Sequence, residues 1–387
     1  MRKKFTDCVD IVGSSCENFE GTKFYISTGA VDEDNINEYG IEVINFEEKP
    51  SRANLVVKSD DIIFAKMQAT KKTLLINEEF AEYVYSTGFC AVHAKKNILT
   101  RDCLLYLLMS EAFLNQKDKN CSGATQKAIT NAGLQKIIVN IPDYKMQDDI
   151  SKKLSILLKV INMRQNELDM LEDLIKARFV ELFGDLANPE CIWDKCQFID
   201  ACVDNDDIKC GPFGTQLSKD EYTESGVAVW EIPQINKAFL STPTHFLAEE
   251  KAEQLKAYTI VPGDIAMSRK GNVGKCALFP ESYSDGIIHS DVLRIRVDKK
   301  RVNPVFMMCQ LHFSGAVTRQ IELISSGAIM AGVNVTKLKQ IFVHIPPMEL
   351  QNKFAHFVNQ VDKSKVVYMY ILKTRKYLMY NGKYREK

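Results

Sequence analysis

The 387 residues include 50 basic and 50 acidic side chains, so the formal net charge at pH 7 is zero. A chain of this length is too long for one ordinary hydrophobic core, which predicts two or more domains. The neutral charge argues against a protein that binds nucleic acid unaided, because such proteins carry a clear basic excess. Any role in nucleic-acid binding therefore requires local patches or the positive surface of a partner.

Neither a membrane span nor an oxidised framework is indicated. The longest apolar run, Leu104–Met109, is far too short to cross a bilayer, so no membrane partner is predicted. The charged N-terminal residues precede no apolar run, which argues against a secretory signal and favours a cytoplasmic protein. The eleven cysteines are scattered, which favours reduced thiols. Cys191, Cys196, Cys202 and Cys210 cluster without the spacing of a zinc finger, so structural zinc is only an alternative and no metal is predicted.

In chain order, the first predicted element group is a strand-rich domain, which we assign to residues 1–145. Short β-branched and aromatic runs predict strands within Leu55–Phe64 and Tyr83–His93. A helical pattern follows at Asp102–Asn115. Ile137–Ile141 then predicts a closing strand, which the next residue, a proline, stops.

A long helix is predicted next, at residues 146–184. Its apolar side chains recur with the alternating spacing of four and three that is typical of a coiled-coil seam. Arg164 and Arg178 interrupt the seam, and Gly184 and Pro189 mark the end of the helix. The apolar seam residues are Ile150, Leu154, Leu157, Ile161, Leu168, Leu171, Ile175 and Leu182.

The same order of elements then recurs. Residues 122–142 (SGATQKAITNAGLQKIIVNIP) align without a gap with residues 326–346 (SGAIMAGVNVTKLKQIFVHIP), and we call each stretch the SGA segment. Gln147 and Gln351 follow in the same phase. A period near 200 residues is too long for a solenoid repeat and indicates two copies of a whole domain.

The second copy gives a second domain, residues 185–348, and a second long helix, residues 349–387. Its strands are predicted within Tyr258–Ser268 and Gly286–Val297, its helix at Pro304–Arg319 and its closing strand at Ile341–Ile345. Gly382 is predicted to end the second long helix. The seam of that helix is rougher and comprises Phe354, Val358, Val361, Lys365, Tyr368, Leu372 and Arg375.

A seam of this length needs a partner, and the other long helix is the nearest one. The sequence therefore predicts an α+β chain in which two strand-rich globular domains are joined and separated by two long packed helices. The alternative is that each helix folds back onto its own domain.

Three motifs in this order resemble the DNA-specificity subunit of type I restriction–modification systems. GPFGTQLSKDEY (211–222) looks like the start of that family's target-recognition domain, and PGDIAMSRKGNVGK (262–275) resembles its Gly-Asp-Ile…Ser-Arg-Lys-Gly-x-x-Gly-Lys signature. SSGAIMAGVNVTKLKQIFVHIPPMELQNKF (325–354) resembles the stretch that leads into the family's long helix. The likeness covers nearly the whole chain. The first copy departs from it at DDIIFAKMQATKK (60–72), which lacks the paired glycines, so the two domains read different sequences or the first has decayed.

The resemblance implies an architecture and a set of partners. The two helices would pair as an antiparallel coiled coil, with the two target-recognition domains related by a pseudo-twofold axis. Each domain would read one half of a bipartite target in double-stranded DNA, while the helices set the spacer and dock two modification (methyltransferase) subunits. Restriction subunits, which are ATP-dependent translocases and nucleases, would complete the complex. S-adenosylmethionine, ATP and magnesium would then belong to the partner subunits, with no cofactor in this chain.

The candidate DNA-contacting residues follow from the chemistry of phosphates and bases. The stretch SRKGNVGK combines positive charge with glycines that permit close approach to a phosphate backbone. Arginine, lysine, asparagine and glutamine are also the side chains that read base edges. A solvated hairpin turn is the alternative for such a loop. The candidates are Lys66, Gln68, Lys71, Lys72, Thr125, Gln126 and Lys127 in the first copy, and Thr215, Gln216, Ser268, Arg269, Lys270, Asn272 and Lys275 in the second.

Catalytic motifs are missing from the sequence, which predicts a non-catalytic subunit. The string nearest to an adenine-methyltransferase Asn-Pro-Pro-Tyr/Phe motif is Ile345-Pro346-Pro347-Met348, which lacks both the polar and the aromatic end. No phosphate-binding G-x-x-x-x-G-K-[ST] loop occurs, and we find no convincing nuclease triad. Three other functions stay open: a coiled-coil adaptor without a DNA role, a silent or exchangeable specificity cassette, and a fragment of a methyltransferase or nuclease.

Overall fold

The computed structural model describes residues 1–124, 126–188, 190–325 and 332–380, with only the backbone from residue 365 onward. It divides into two compact units. The first unit comprises Met1–Arg164 and the C-terminal helix from residue 371, and the second comprises Gln165–Tyr370.

The first unit contains many short strands and a few helices. Its strands are β1 (Arg2–Lys4), β2 (Val9–Val12), β3 (Lys23–Ile26), β4 (Val31–Asp32), β5 (Asn35–Ile36), β6 (Ile41–Ile44), β7 (Ala53–Leu55), β8 (Ile62–Ala65), β9 (Thr73–Leu75), β10 (Val84–Ser86), β11 (Phe89–Ala94), β12 (Cys121–Ser122), β13 (Ala128–Ile129) and β14 (Ile138–Asn140). Its helices are α1 (Phe5–Cys8), α2 (Arg101–Met109), α3 (Glu111–Lys119), α4 (Asn131–Leu134) and the start of α5 (Tyr144–Phe183).

Two four-stranded sheets form the body of the first unit. One sheet has the order β2-β11-β8-β9 and is antiparallel throughout. The other has the order β6-β3-β10-β7, in which β3 and β10 run parallel. Apolar residues of β8 and β11 pack with α2 and α3 in a core that includes Phe64, Val92, Leu104 and Phe113. The helices therefore cover one face of the first sheet, as expected for an α+β domain.

The second unit repeats this arrangement. Its strands are β15 (Asp194–Gln197), β16 (Ile208–Cys210), β17 (Val227–Trp230), β18 (His245–Leu247), β19 (Thr259–Ile260), β20 (Ile265–Ser268), β21 (Cys276–Leu278), β22 (Gly286–Ile288), β23 (Val292–Ile295) and β24 (Phe342–Ile345). Its helices are the end of α5, α6 (Ile232–Asn236), α7 (Glu249–Gln254), α8 (Pro304–Phe313), α9 (Gly315–Ser325), α10 (Val335–Lys339) and the start of α11 (Met348–Tyr380).

The sheet orders of the second unit are β16-β23-β20-β21 and β18-β17-β22-β19, with β17 and β22 parallel. Each matches its counterpart in the first unit strand for strand. The closing strands also match, because β14 pairs antiparallel with β1 and β24 pairs antiparallel with β15. The duplication predicted from the SGA segments is thus a duplication of topology.

A buried glutamine stands at the same place in both units. Gln147 Oε1 accepts the Thr100 N–H at 2.7 Å, and Gln351 Oε1 accepts the Asn303 N–H at 2.8 Å. Each glutamine also donates to two backbone carbonyls, one of them that of the proline before its long helix. Since both side chains are fully buried, these bonds fix where each long helix leaves its domain.

The predicted strand regions hold short separate strands, and the predicted helices are interrupted. Leu55–Phe64 holds the last residue of β7, a turn and most of β8, and Asp60 in that turn has a left-handed φ of +70°. The predicted helices each break into two, at Ser110 and at Ser314. Ser110 has an extended backbone and accepts the Phe113 N–H, so a serine cap starts a second helix there.

The long helix α5 ends at Phe183, and Gly184 follows with a φ of +72°, as the sequence predicted. The predicted seam residues of α5 are all buried or half-buried. Within the second unit, Ile175 and Phe179 of α5 pack with Phe354 and Val358 of α11. Coiled-coil pairing along the full length of the helices stays a prediction. Pro189 and Gly382 lie outside the described residues, as do the side chains of the second seam from Lys365 onward.

Two further properties bear on function. In the part of the chain that the structure describes, no helix is both long and apolar enough to span a bilayer. Among those same residues, no group of three or more histidine, cysteine or carboxylate side chains is arranged to hold a metal ion. The cysteines are free thiols.

Candidate nucleic-acid interface

Two loops of equal length carry most of the candidate residues. The first loop (residues 66–72) connects β8 to β9, and the second loop (residues 269–275) connects β20 to β21. A backbone hydrogen bond closes each loop at its base, 2.9 Å long in the first and 2.7 Å in the second. The two loops therefore leave equivalent strands in the same way.

The SGA segment of each unit lies beside its loop. In the first unit, the Ile129 N–H donates to Lys66 O at 2.8 Å. In the second unit, the Val333 N–H donates to Arg269 O at 3.0 Å. The two motifs that the sequence repeats are thus hydrogen-bonded neighbours in both units. Residues 326–331 of the second SGA segment lie outside the described residues.

Four of the predicted residues meet at the first loop. The Gln68 N–H donates to Lys127 O at 2.9 Å, and Gln126 Nε2 lies 2.9 Å from Met67 Sδ. Gln68, Gln126 and Lys127 are exposed, whereas Lys66 is half-buried. The arrangement presents two amides and one ammonium from adjacent backbone segments. Amides and ammonium groups of this kind can read base edges or contact phosphates.

The other candidate residues of the first unit differ in how strongly their side chains are bound to neighbouring groups of the same unit. Lys71 is exposed and its Nζ lies 4.0 Å from Glu111 Oε1, an ion pair weak enough to exchange for a phosphate. Lys72 is half-buried, and its Nζ donates to Thr28 O at 2.8 Å. Its ammonium group is therefore already engaged in a contact within the unit. Thr125 lies outside the described residues.

The second loop owes its shape to two glycines. Gly271 has a φ of +69° and Gly274 a φ of +81°, both in the left-handed region that disfavours other residues. The Gly274 N–H donates to Ser268 O at 3.1 Å, and the Lys275 N–H donates to Asn272 O at 3.1 Å. The chain therefore doubles back tightly, and Asn272 is exposed at the turn.

Arg269 is held beside an exposed aromatic ring. Its guanidinium lies 4.8 Å from the centre of the Phe213 ring, and its Nε donates to Val333 O at 3.2 Å. Phe213 is 45% exposed. Gln216 Oε1 accepts the Phe213 N–H at 3.1 Å and the Tyr258 hydroxyl at 3.0 Å. These contacts fix the direction of the guanidinium, and a fixed planar fork is what bidentate recognition of a base or phosphate requires.

The remaining second-unit candidates lie at different depths. Lys270 Nζ pairs with Asp291 Oδ1 at 2.9 Å, with both side chains partly exposed. Lys275 is half-buried, and Thr215 is exposed beside Gln216. The side chain of Ser268 is fully buried, so in this conformation it cannot touch a ligand. Its backbone serves the loop instead, because Ser268 is the last residue of the strand that carries it.

Sequence reasoning missed residues that act from outside the motifs. Phe213 lies in the phrase GPFG, where the left-handed Gly214 (φ +53°) turns the chain and leaves the ring exposed. A large aromatic between a proline and a glycine was the signal that could have identified it. Asp291 and Tyr258 carry no local signal, because only the folding of distant strands brings them to the loop.

The site offers hydrogen-bond donors and charge rather than a nucleophile. Cys121 Sγ lies 3.8 Å from Lys66 O of the first loop, and a second thiol, that of Cys276, belongs to the first residue after the second loop. Burial raises the pKa of this thiol to about 12, so it stays protonated at neutral pH. The described residues around both loops are therefore suited to binding and recognition.

Comparison with known proteins gives the same assignment for both halves. The family model described as the type I restriction modification DNA specificity domain matches residues 10–173 and again residues 212–367. The chain is similar to the HindI type I restriction enzyme specificity subunit of Haemophilus influenzae, with 26% identity over 148 residues. That match spans 37% of this chain and only 32% of the relative.

A solved structure extends the likeness in fold. The crystal structure of a type I restriction–modification system S subunit from M. genitalium superposes with a TM-score of 0.56 at 13% identity. The superposition covers 98% of this chain and 93% of that one. Because the two family matches together cover most of the sequence and coincide with the two repeated sheet topologies, the chain belongs to the type I restriction–modification DNA-specificity family.

Proposed function

We propose that this chain is the DNA-recognition subunit of a type I restriction–modification complex. Each unit would read one half of a bipartite target in double-stranded DNA through its loop and SGA segment. The observation that carries this proposal is that both units contain the same arrangement of loop and SGA segment. In both units, a loop bearing lysine, glutamine, arginine or asparagine is hydrogen-bonded to the SGA segment at equivalent backbone positions. Two equivalent surfaces suit a target with two blocks.

The chemistry of the loops supports contact with both phosphates and bases. Lys71, Lys127 and Lys270 are exposed or partly exposed cations that can reach phosphates. The side chains of Gln68 and Arg269 donate to backbone carbonyls, and the Gln126 amide lies against Met67 Sδ, which suits all three to reading base edges. Side chains that the fold already fixes lose little conformational entropy on binding. More of the contact free energy is therefore available for discrimination between bases.

The long helices supply the second part of the proposal, which is docking and spacing. On α5, Ile156, Val160 and Met163 of the first unit and Met170 and Leu174 of the second are between 40% and 69% exposed. Their spacing of four and three residues places each group along one helix face, separate from the seam. Exposed apolar stripes of this kind suit partner helices. We assign them to two modification subunits, and we propose that antiparallel pairing of the two long helices sets the unread spacer.

Partner subunits would supply all the chemistry. The modification subunits would bring S-adenosylmethionine and the methylating site, and the restriction subunits would bring ATP and magnesium. A complex acting on chromosomal DNA would assemble in the cytoplasm. Because this chain has zero net charge, we expect weak, salt-sensitive DNA binding by the chain alone and much tighter specific binding by the complex. Tight specific binding by the isolated chain would contradict this part of the proposal.

The deciding experiment is a genome-wide map of N6-methyladenine by single-molecule sequencing. Cells that carry this chain with its modification subunit are compared with cells that lack only this chain. We expect a split motif, two short blocks separated by unread bases, that disappears when the chain is removed. An unchanged map with the chain expressed would contradict DNA recognition and favour a silent cassette or an adaptor. In that case, Arg269→Ala and Lys270→Ala would also leave methylation unchanged.

A further inference from the structure

The first loop surrounds a buried lysine that lies outside every motif of the sequence. Lys117, on α3, is only 1% exposed. Its Nζ donates to Thr70 O at 2.8 Å and to Met67 O at 2.9 Å. A third carbonyl, that of Ala65, lies 3.4 Å away. The backbone of the first loop therefore curls around one ammonium group.

A buried ammonium group is costly unless it is hydrogen-bonded, so this arrangement is a specific one. Burial lowers the pKa of Lys117, and the neighbouring Asp118 carboxylate, 3.4 Å from Nζ, opposes that effect. The loop gives up carbonyl groups to the lysine and holds Ala69 at a left-handed φ of +58°. Without a central cation, these inward-facing carbonyls would have no partner, and the loop would have to rearrange.

The second unit supports its loop with a different residue type at the position that corresponds to Lys117. Gln116 and Gln320 each exchange two hydrogen bonds with the backbone of their closing strand, which fixes the correspondence of α3 with α9. By that register, Lys117 corresponds to Ile321. Ile321 is buried in the apolar core, and a Cβ added at Gly274 would lie 3.1 Å from its Cγ2. A glycine loop thus rests on an apolar side chain where the first loop encloses a cation.

We propose that Lys117 is the positioning residue of the first recognition loop and determines the specificity of one target block. This inference rests on the proposed function. Lys117 acts through the loop and has no exposed surface with which to contact DNA. Gln68 and Ala69, which follow the Lys117-bound Met67 carbonyl, are displaced when the ammonium group is removed. Base discrimination by the first unit is then lost, while the second unit, which has no such lysine, is unaffected.

The experiment replaces Lys117 with the residue that the second unit uses. Lys117→Ile in the full chain is assembled with the modification subunits, and binding is measured to duplexes with either block scrambled. We expect discrimination at one block to fall about tenfold or more, the range for loss of a base contact, with discrimination at the other block unchanged. The matched control is Lys119→Ile, which removes the same charge from an exposed position on the same helix.

The outcomes separate this inference from the proposed function. Absence of block-dependent binding by the unaltered complex would defeat the proposed function itself. Normal two-block discrimination by the unaltered complex and by Lys117→Ile alike would overturn the role of Lys117. If Lys117→Ile does not assemble, Lys117→Met keeps the length of the side chain without its charge. Equal loss at both blocks in an assembled Lys117→Met complex would also overturn the inference, because a positioning residue acts on one loop.

Discussion

The first and second loops have the same length, the same closing hydrogen bond and the same backbone bond to their SGA segments, yet they are supported by opposite means. One encloses the ammonium group of Lys117, and the other folds tightly on Gly271 and Gly274. The framework beneath them is shared in sheet order and in its buried glutamines. The comparison indicates that a duplicated domain kept its scaffold and changed the loop that we propose faces the target. Under the proposed function, this difference would let two units of one chain read different sequences.

The largest expected effect tests the shared scaffold. Gln147→Ala and Gln351→Ala each leave one backbone N–H and two carbonyls without their buried partner. We expect each to lower the free energy of unfolding by about 3 kcal/mol, since an unsatisfied buried polar group costs roughly 1–3 kcal/mol. Urea titration combined with hydrogen exchange of each unit's sheet measures the loss.

The matched control for both variants is Gln360→Ala, because Gln360 is exposed and its amide nitrogen lies 3.1 Å from His356 Nε2. Its effect should stay within about 0.5 kcal/mol. A large loss of unfolding free energy in one unit and none in the other would contradict the comparison. It would mean that the two buried glutamines do not stabilise their units equally.

The next largest effect tests the second loop as a reading surface. Arg269→Ala removes a guanidinium that is fixed by Phe213 and Val333. We expect the assembled complex to lose about 1–3 kcal/mol of discrimination at one target block, the worth of a bidentate base contact. Binding to duplexes with single base changes measures it, and Lys300→Ala, at an exposed position of the same unit, is the control.

Arg269→Ala also sharpens the comparison between the units. The block that it weakens should be the one that Lys117→Ile leaves intact. Weakening of the same block by both variants would show that the two loops do not divide the target between them.

The backbone strain of the two loops gives a smaller pair of effects. Gly274→Ala forces a side chain into a left-handed conformation at a φ of +81° and against Ile321, which should cost about 1–2 kcal/mol of stability. Ala69→Gly relieves the same kind of strain at a φ of +58° and should stabilise the first unit by up to about 1 kcal/mol. Thermal unfolding of both variants checks the opposite signs, and equal signs would contradict the strain argument.

The sequence predicted the duplicated framework of the two units. It did not predict the buried lysine that makes their two loops different. The gap-free alignment of the SGA segments predicted the duplication, and Gln147 and Gln351 fall in the same phase, although nothing in the sequence indicated that both are buried. The glycine pair of the second loop was predicted to permit close approach to a phosphate, with a hairpin turn as the alternative, and both glycines have a left-handed φ. The role of Lys117 could not be predicted, because a lysine on an amphipathic helix is ordinarily solvated and only the tertiary fold buries this one. Ser268 was predicted among the DNA-contacting residues, whereas the strand turns its side chain inward.

The smallest expected effect concerns acid sensitivity, which should belong to the second unit. His344, on β24, is 6% exposed, and its burial lowers the pKa of the imidazole, with the nearby Lys195 acting in the same direction. Asn140 occupies the equivalent position in the first unit and does not titrate. Because the unfolded chain binds a proton near pH 6.5 and the folded second unit does not, the stability contribution is present above that pH. It is lost as the pH falls from about 6.5 toward the lowered pKa of the folded state.

The variant His344→Asn places the first unit's residue at this position and removes the titrating group, while the Gln310 amide still bonds to the strand backbone. We expect the free energy of unfolding of the second unit to decline less between about pH 7 and pH 5 in this variant than in the unaltered chain. Denaturant titrations at several pH values measure the slopes, and His356→Asn, at an exposed position of the same unit, is the control. Parallel slopes for His344→Asn and the unaltered chain would mean that the imidazole is protonated in the folded state as readily as in the unfolded one. The difference in acid sensitivity between the two units would then have to arise from groups other than this one.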